Sequence, residues 1–288
     1  MPQNLDHPSS PSSSPIFDRS ARFSRMAILA GTDGLAVLGQ SHVMVIGMGG
    51  VGSWAAESLA RSGVGQITLV DFDLVCMRNF NRQLGAIEST LGTPKALAMA
   101  QRLQAINPHA QITPVVNFAA PETFPTLFNP RPDFVIDAID HVTTKCALIH
   151  HCWEHKIPLV VATGSAGRWD PTLVRTADLA QTQQDPLAKV VRRVLRQKYS
   201  FPPKGDFGIP AVYALGPAEM PREAEAPCTF SGCPQATHHL QSCTQQRTVR
   251  GSASFVTGAF GLACAAVAVQ YLLGRSNLAA REQDEGPN

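Results

Sequence analysis

The stretch VMVIGMGGVGSWAAESLARSG, from Val43, sets Gly47, Gly49, Gly50 and Gly52 between an apolar β-type run and a helix-forming run. Glycines at such a strand-to-helix turn lack the Cβ that would hold a ligand away. Backbone N–H groups and the positive end of the helix can therefore meet phosphate. Asp71 closes the next apolar run, QITLVDFD, at the place where an acid accepts hydrogen bonds from ribose hydroxyls. By themselves these residues fit NAD, FAD or ATP.

The residues that follow favour a triphosphate. DFDLVCMRNFNRQLG carries Asn79, Asn81, Arg82 and Gln83, and LGTPKA adds Lys95 at the start of a helix. Hydride transfer has no need of so many cations and amides beside phosphate. Charge building on a departing pyrophosphate has that need, and Arg and Lys meet it. In DFVIDAID, Asp137 lies within the strand and reads as a buried structural acid, whereas Asp140 reaches its carboxyl end. Ligands gather at that edge of open α/β sheets, and magnesium favours one or two carboxylates plus phosphate oxygens, so Asp140 is the candidate Mg2+ ligand.

The elements that must position these groups alternate along the chain. Strands are expected at HVMVIG, QITLVDFD, QITPVV, DFVIDAID and PLVVATG, and helices at SWAAESLARSG, TPKALAMAQRLQAIN and TTKCALIHHCWEHK. That order predicts an α/β fold: a Rossmann-like, doubly wound, mostly parallel sheet with a less regular C-terminal lobe. Residues 1–18 read as a Pro- and Ser-rich tail, 19–275 as one domain with its nucleotide-binding part at about 40–165 and its lobe at about 166–275, and 276–288 as a polar tail.

Composition bounds the remaining classes. With 288 residues, 44% hydrophobic, the chain can bury a sizeable core, and its formal charge of +2 excludes a global field for nucleic acid. A local basic patch is present in DPLAKVVRRVLRQK, where helical spacing sets Lys189, Arg192, Arg193 and Arg196 on one face as a candidate phosphate-contacting stripe. The seven cysteines are odd in number and never spaced C-x-x-C, which argues against a disulfide framework or a four-thiolate zinc site and for a reducing, cytoplasmic setting. His150, His151, His155, His238 and His239 lack a third ligand at a metal-binding spacing, and Trp54 and Trp153 read as packing residues. The segment ASFVTGAFGLACAAVAVQYLL, from Ala253, is long and uncharged enough to span a membrane. Its Ala and Gly content, with Ser254, Thr257 and Gln270, fits better a helix packed on a sheet or a subunit partner; peripheral membrane contact through 253–273 is the alternative.

The run RFSRMAIL…GQSHVMVIGMGGVGSWAAESLARSGVGQITLVDFDLVCMRNFNRQ…LGTPKA…FVIDAID resembles the ubiquitin-like-protein activating superfamily, which includes the molybdopterin- and thiamine-pathway adenylating enzymes. Within it, DLVCMRNFNRQ, DPLAKVVRRVLRQK and GSASFVTGAFG look most like the bacterial tRNA threonylcarbamoyladenosine dehydratases, a likeness covering about residues 20–275. The resemblance implies ATP- and Mg2+-dependent adenylation of the threonine carboxylate of N6-threonylcarbamoyladenosine in tRNA. Attack by the carbamoyl group then expels AMP and leaves the cyclised, dehydrated base.

On the matching positions the resemblance implies that Gly47, Gly49, Gly50 and Gly52 line the nucleotide turn and Asp71 holds the ribose. Asn79, Arg82 and Lys95 would contact phosphates, with Arg82, Lys95 and Asp140 catalytic. Arg25 matches an arginine that relatives insert into a neighbouring subunit's site, which implies a homodimer. The two C-x-x-C pairs of zinc-binding relatives are absent from the sequence, so no structural zinc is expected. A cysteine-desulfurase or sulfur-acceptor system is a candidate partner by the same resemblance, with Cys243, Cys228 or Cys233 as rival reactive thiols. The alternative reading is an activating enzyme for a ubiquitin-like sulfur-carrier protein, against which the missing zinc pairs and the basic helix argue.

Overall fold

A computed structural model describes residues 19–222 and 251–275. Short apolar, β-branched segments form strands β1 (His42–Ile46), β2 (Gln66–Val70), β3 (Gln111–Val115), β4 (Phe134–Asp137) and β5 (Leu159–Ala162), followed by β6 (Val174–Asp178) and β7 (Pro210–Ala214). They make one sheet in the order β3-β2-β1-β4-β5-β7-β6, parallel throughout except that β6 runs antiparallel to β7. Strands β1, β4 and β5 are buried along their whole length, as strands covered on both faces must be. Pro114, which cannot donate to a ladder, lies in edge strand β3. This is the expected doubly wound α/β architecture.

Helices α1 (Arg19–Arg22) and α2 (Ser24–Gln40) precede the sheet; α3 (Gly52–Arg61), α4 (Lys95–Ile106), α5 (Phe124–Leu127), α6 (Val142–Glu154), α7 (Pro186–Lys198) and α8 (Ser254–Leu272) follow in order. One core packs α3, α4 and α8 on the sheet through Leu59, Met99, Leu103, Phe260 and Ala265. The other packs α6 and α7 through Leu148, Ile149, Val191 and Leu195.

The long apolar segment forms α8, a 19-residue helix of mean hydropathy 1.7, and half of its apolar window is buried in the protein. Its core face lies on α3 so closely that a Cβ on Gly261 would strike the Val51 carbonyl, while one on Gly258 would stand 3.3 Å from the Trp54 ring. Small residues thus set the helix-to-helix approach, and the buried face is that of a helix packed against a sheet.

Cys76, Cys146, Cys152 and Cys264 are buried thiols outside any disulfide among the described residues; Cys228, Cys233 and Cys243 lie outside the described residues. Burial pushes the Cys146 thiol up to about 11 and the Cys264 thiol up to about 12, and raises Cys152 as well. Thiols freed by unfolding ionise near their ordinary 9.0, so between pH 9 and 11 the unfolded chain binds fewer protons than the folded one. Stability contributed by these groups is expected to be intact below pH 9 and to fall as pH rises. A denaturant midpoint lower at pH 10 than at pH 8, together with native Cys146, Cys152 and Cys264 resisting alkylation, would record it.

Candidate active site

The order of the strands reverses between β1 and β4, and a crevice opens at the carboxyl ends of a sheet at such a point. The glycine turn leaves β1 here. Gly47 holds φ at 95°, and a Cβ there would meet the Ala138 carbonyl oxygen at 2.8 Å, so the turn presses against the loop after β4. A Cβ on Gly52 would collide with the Gly47 carbonyl. No side chain caps the first turn of α3; Ser53 N donates to the Gly49 carbonyl at 3.2 Å, and the positive end of the helix lies at the glycine turn, where an anion is favoured.

Asp71 fastens this turn from the β2 side. Met48 N donates to its Oδ2 at 2.6 Å and Asp73 N to its Oδ1 at 2.7 Å. An ionised carboxylate has a second acceptor position on each oxygen, so both can also take a ligand hydroxyl. Burial raises the Asp71 carboxyl above its ordinary value, with the charge of Lys95 opposing. Lys95 is only 7% exposed and donates to Asp73 Oδ2 at 2.7 Å. The other oxygen of Asp73 is buried with no hydrogen-bond donor, a spare acceptor beside the turn.

Arg82 is half-buried, and its Cγ would lie 3.2 Å from a Cβ on Gly50, as would Thr257 of α8. The guanidinium donates to the Arg78 carbonyl at 2.8 Å and to Asn81 Oδ1 at 2.9 Å, while Trp54 Nε1 donates to the Arg82 carbonyl at 3.1 Å. Burial lowers the Arg82 pKa, and the nearby Asp140 carboxylate opposes that shift. Asn79 Oδ1 accepts from Cys76 N at 3.0 Å, and Asn81 Nδ2 donates to the Ser252 carbonyl at 2.9 Å. The first amide shapes the loop, and the second ties it to the segment entering α8.

Asp137 and Asp140 divide as their positions in the strand suggest. Asp140 is exposed at the crevice. Asp137 and Lys145 are fully buried and paired at 2.8 Å; Lys145 Nζ also donates to the Ala162 carbonyl at 3.0 Å, and Asp137 Oδ1 accepts from Ile139 N at 3.0 Å. Burial raises the Asp137 carboxyl, and Lys145 opposes. The pair thus pins the ends of β4 and β5 to α6 and sets the loop that carries Asp140.

Away from the crevice, the basic stripe on α7 splits in two. Lys189 and Arg193 are exposed. Arg192 donates to the Leu179 carbonyl and Thr182 Oγ1, and Arg196 donates to the Pro202 carbonyl while lying over the Phe207 ring. Two of the four cations therefore hold the lobe together rather than facing fully outward. Arg25 is exposed on the first turn of α2. His151 packs against the rings of Phe124, Phe128 and His155, Trp153 against Phe201, and His238 and His239 lie outside the described residues.

Sequence reasoning did not find Lys145 or Asp73, and it read Thr257 only as a polar residue of the long apolar helix. Lys145 did leave a signal, a single charge inside the apolar run TTKCALI, where only a buried partner can hold it.

A doubly wound sheet whose switch point gathers a glycine turn, Arg82, Lys95 and carboxylates defines a nucleotide-binding protein built to handle phosphate. The chain belongs to the ThiF family, whose model matches residues 23–284, and within it to the tRNA threonylcarbamoyladenosine dehydratases. It is 40% identical to the tRNA threonylcarbamoyladenosine dehydratase of Haemophilus influenzae over 89% of this chain and 95% of that one. The Escherichia coli dehydratase, solved in complex with AMP, superposes with a TM-score of 0.78 at 37% identity, covering 91% of this chain and 96% of that one. Its complex with ATP gives 0.76 at 35%, covering 93% and 97%. The molybdopterin-synthase adenylyltransferase of E. coli is 38% identical over 52% of this chain and 59% of its own length.

Proposed function

We propose that the protein is an ATP-dependent tRNA threonylcarbamoyladenosine dehydratase. The observation that carries this reading is likeness to the dehydratases along nearly the whole chain, including the lobe after β5, where likeness to the molybdopterin-synthase enzyme covers only about half. The sulfur-carrier alternative is correspondingly the weaker.

In this reading the glycine turn and the positive end of α3 receive the phosphates of ATP, and Asp71 accepts from the ribose. The threonine carboxylate attacks the α-phosphorus, and pyrophosphate departs with its charge met by Arg82 and Lys95. Attack of the carbamoyl group on the activated carbonyl expels AMP, which carries off the carboxylate oxygen, so that ATP is consumed as AMP and pyrophosphate and the nucleoside has lost one water. Asp140, an exposed carboxylate at the crevice, would hold a magnesium ion whose remaining positions go to phosphate oxygens and water. When bound there, magnesium supplies Lewis-acid stabilisation of phosphate charge.

The protein acts as a homodimer in this reading, with Arg25 reaching the other subunit's ATP. Support comes from exposed Ile28 and Leu29, one helical turn from Arg25, and from exposed Leu262 on α8, apolar surface that a second copy would cover. A tRNA substrate accords with a cytoplasmic setting.

Incubation of threonylcarbamoyladenosine-bearing tRNA with the protein, ATP and Mg2+, followed by mass spectrometry of the nucleosides, is expected to show loss of one water. The change should require ATP and stop when EDTA removes the metal. An unchanged nucleoside would remove the reading. Reversing Lys189 and Arg193 to Glu is expected to weaken tRNA binding and flatten its salt dependence by about two phosphate contacts, with ATP affinity unchanged. An unaltered salt slope would take α7 out of the tRNA surface.

A further inference from the structure

Two large aromatic side chains stand in solvent beside the crevice, and catalysis as described uses neither. Trp169 is 63% exposed and Phe255 50% exposed, with ring centroids 6.4 Å apart and planes 34° from parallel. Their backbones are held firmly. Gly167 N donates to the Gly251 carbonyl and Glu219 N to the Gly167 carbonyl, both at 2.7 Å, and Trp169 Nε1 donates to Glu219 Oε2 at 3.3 Å. Arg168, only 6% exposed, donates to the carbonyls of Gly164, Gln184, Leu215 and Gly216. The rings are therefore presented on a braced base rather than on a free loop.

Two neighbours give this platform a direction. On one side, Ser252 accepts from Asn81, next to Arg82, and Thr257 lies against Gly50, so in sequence Phe255 stands between a residue bonded to the Arg82 loop and one that touches the glycine turn. On the other side, Pro217 and Ala218, adjoining Glu219, line an open depression of about 690 Å³ together with Lys189, Arg192 and Asp185, whose carboxylate is already held by Thr163, Gly164 N and Arg168. Aromatic faces next to a cationic groove are the recognition chemistry of single-stranded nucleic acid, in which bases stack and phosphates follow the positive charge.

We propose that Trp169 and Phe255 form a stacking platform for an unpaired base of the RNA loop that delivers the nucleoside to the crevice, with Lys189 at the adjoining depression meeting the loop's phosphates. The proposal rests on the dehydratase reading, because that reaction requires an RNA loop to reach this rim. The charge of Glu219 beside the platform is offset by Arg222, 3.6 Å away.

The test uses the full chain and a fluorescently labelled anticodon stem-loop carrying N6-threonylcarbamoyladenosine. Trp169→Ala is expected to weaken RNA binding about tenfold or more and Phe255→Ala by a similar order, while Trp169→Phe keeps most of the affinity. ATP affinity and sedimentation behaviour should match wild type in all three variants. If wild type dehydrates the nucleoside and Trp169→Ala binds RNA normally, the platform is overturned and the dehydratase reading stands. If the variants change the oligomeric state instead of RNA affinity, the rings serve a second copy of the chain and the proposal fails. A wild-type protein that neither binds nor dehydrates the RNA removes both.

Discussion

Arg82→Ala is expected to slow adenylation by about two to three orders of magnitude, the range seen when a preorganised donor to developing charge is lost. The size follows from how the side chain is held. Trp54 fixes its carbonyl, Arg78 and Asn81 accept from its guanidinium, and its stem lies on Gly50, so no rearrangement is needed when pyrophosphate charge builds. Lys95→Ala should lose a comparable amount and additionally leave the Asp73 carboxylate without its partner. Pyrophosphate release under single-turnover conditions measures both; wild-type rates would contradict the roles assigned. The Lys95 variant separates from the Arg82 variant in ATP affinity, since an uncompensated acid beside the turn repels phosphate.

Lys145→Met is expected to destabilise the fold by about 3–5 kcal/mol, the cost of stranding a buried charge. Asp137 has no water to turn to, since both side chains of the pair are fully buried. Adding Asp137→Asn should restore much of the loss, because a neutral amide can still accept from Ile139 N without a counter-charge. Denaturant midpoints of the single and double variants decide the point: equal losses in both would mean that the pair's charge is not what holds the loop.

The strands and helices around the crevice were legible because their signals are local. HVMVI, QITLV, FVID and LVVA are β-branched runs bounded by turn residues, and the glycine turn lies between a strand and a helix as it must. The positions of Asp71, Arg82 and Asp140 around the crevice were legible from their places at strand ends and in loops. Lys145 and Asp73 were not, because a charge is functional in a core only through a partner distant in sequence, 8 residues away for Asp137 and 22 for Lys95. The division of the α7 stripe was equally hidden: Arg192 and Arg196 turn inward to carbonyls of Leu179 and Pro202, which helical periodicity cannot foresee. Strand β6, with exposed Arg175 and Thr176, carries too little apolar pattern to announce an antiparallel edge.

The contact of α8 with α3 has a consequence for the order in which the protein matures. Trp54 receives Gly258 on its ring and holds the Arg82 carbonyl with its indole N–H, while Thr257 leans on Gly50 and Ser252 takes the Asn81 amide. A ribosome has already released the glycine turn, Arg82 and Lys95 long before it synthesises these last supports. The growing chain therefore carries the glycine turn, Arg82 and Lys95 early and completes the crevice late, when α8 docks and shuts the layer over α3.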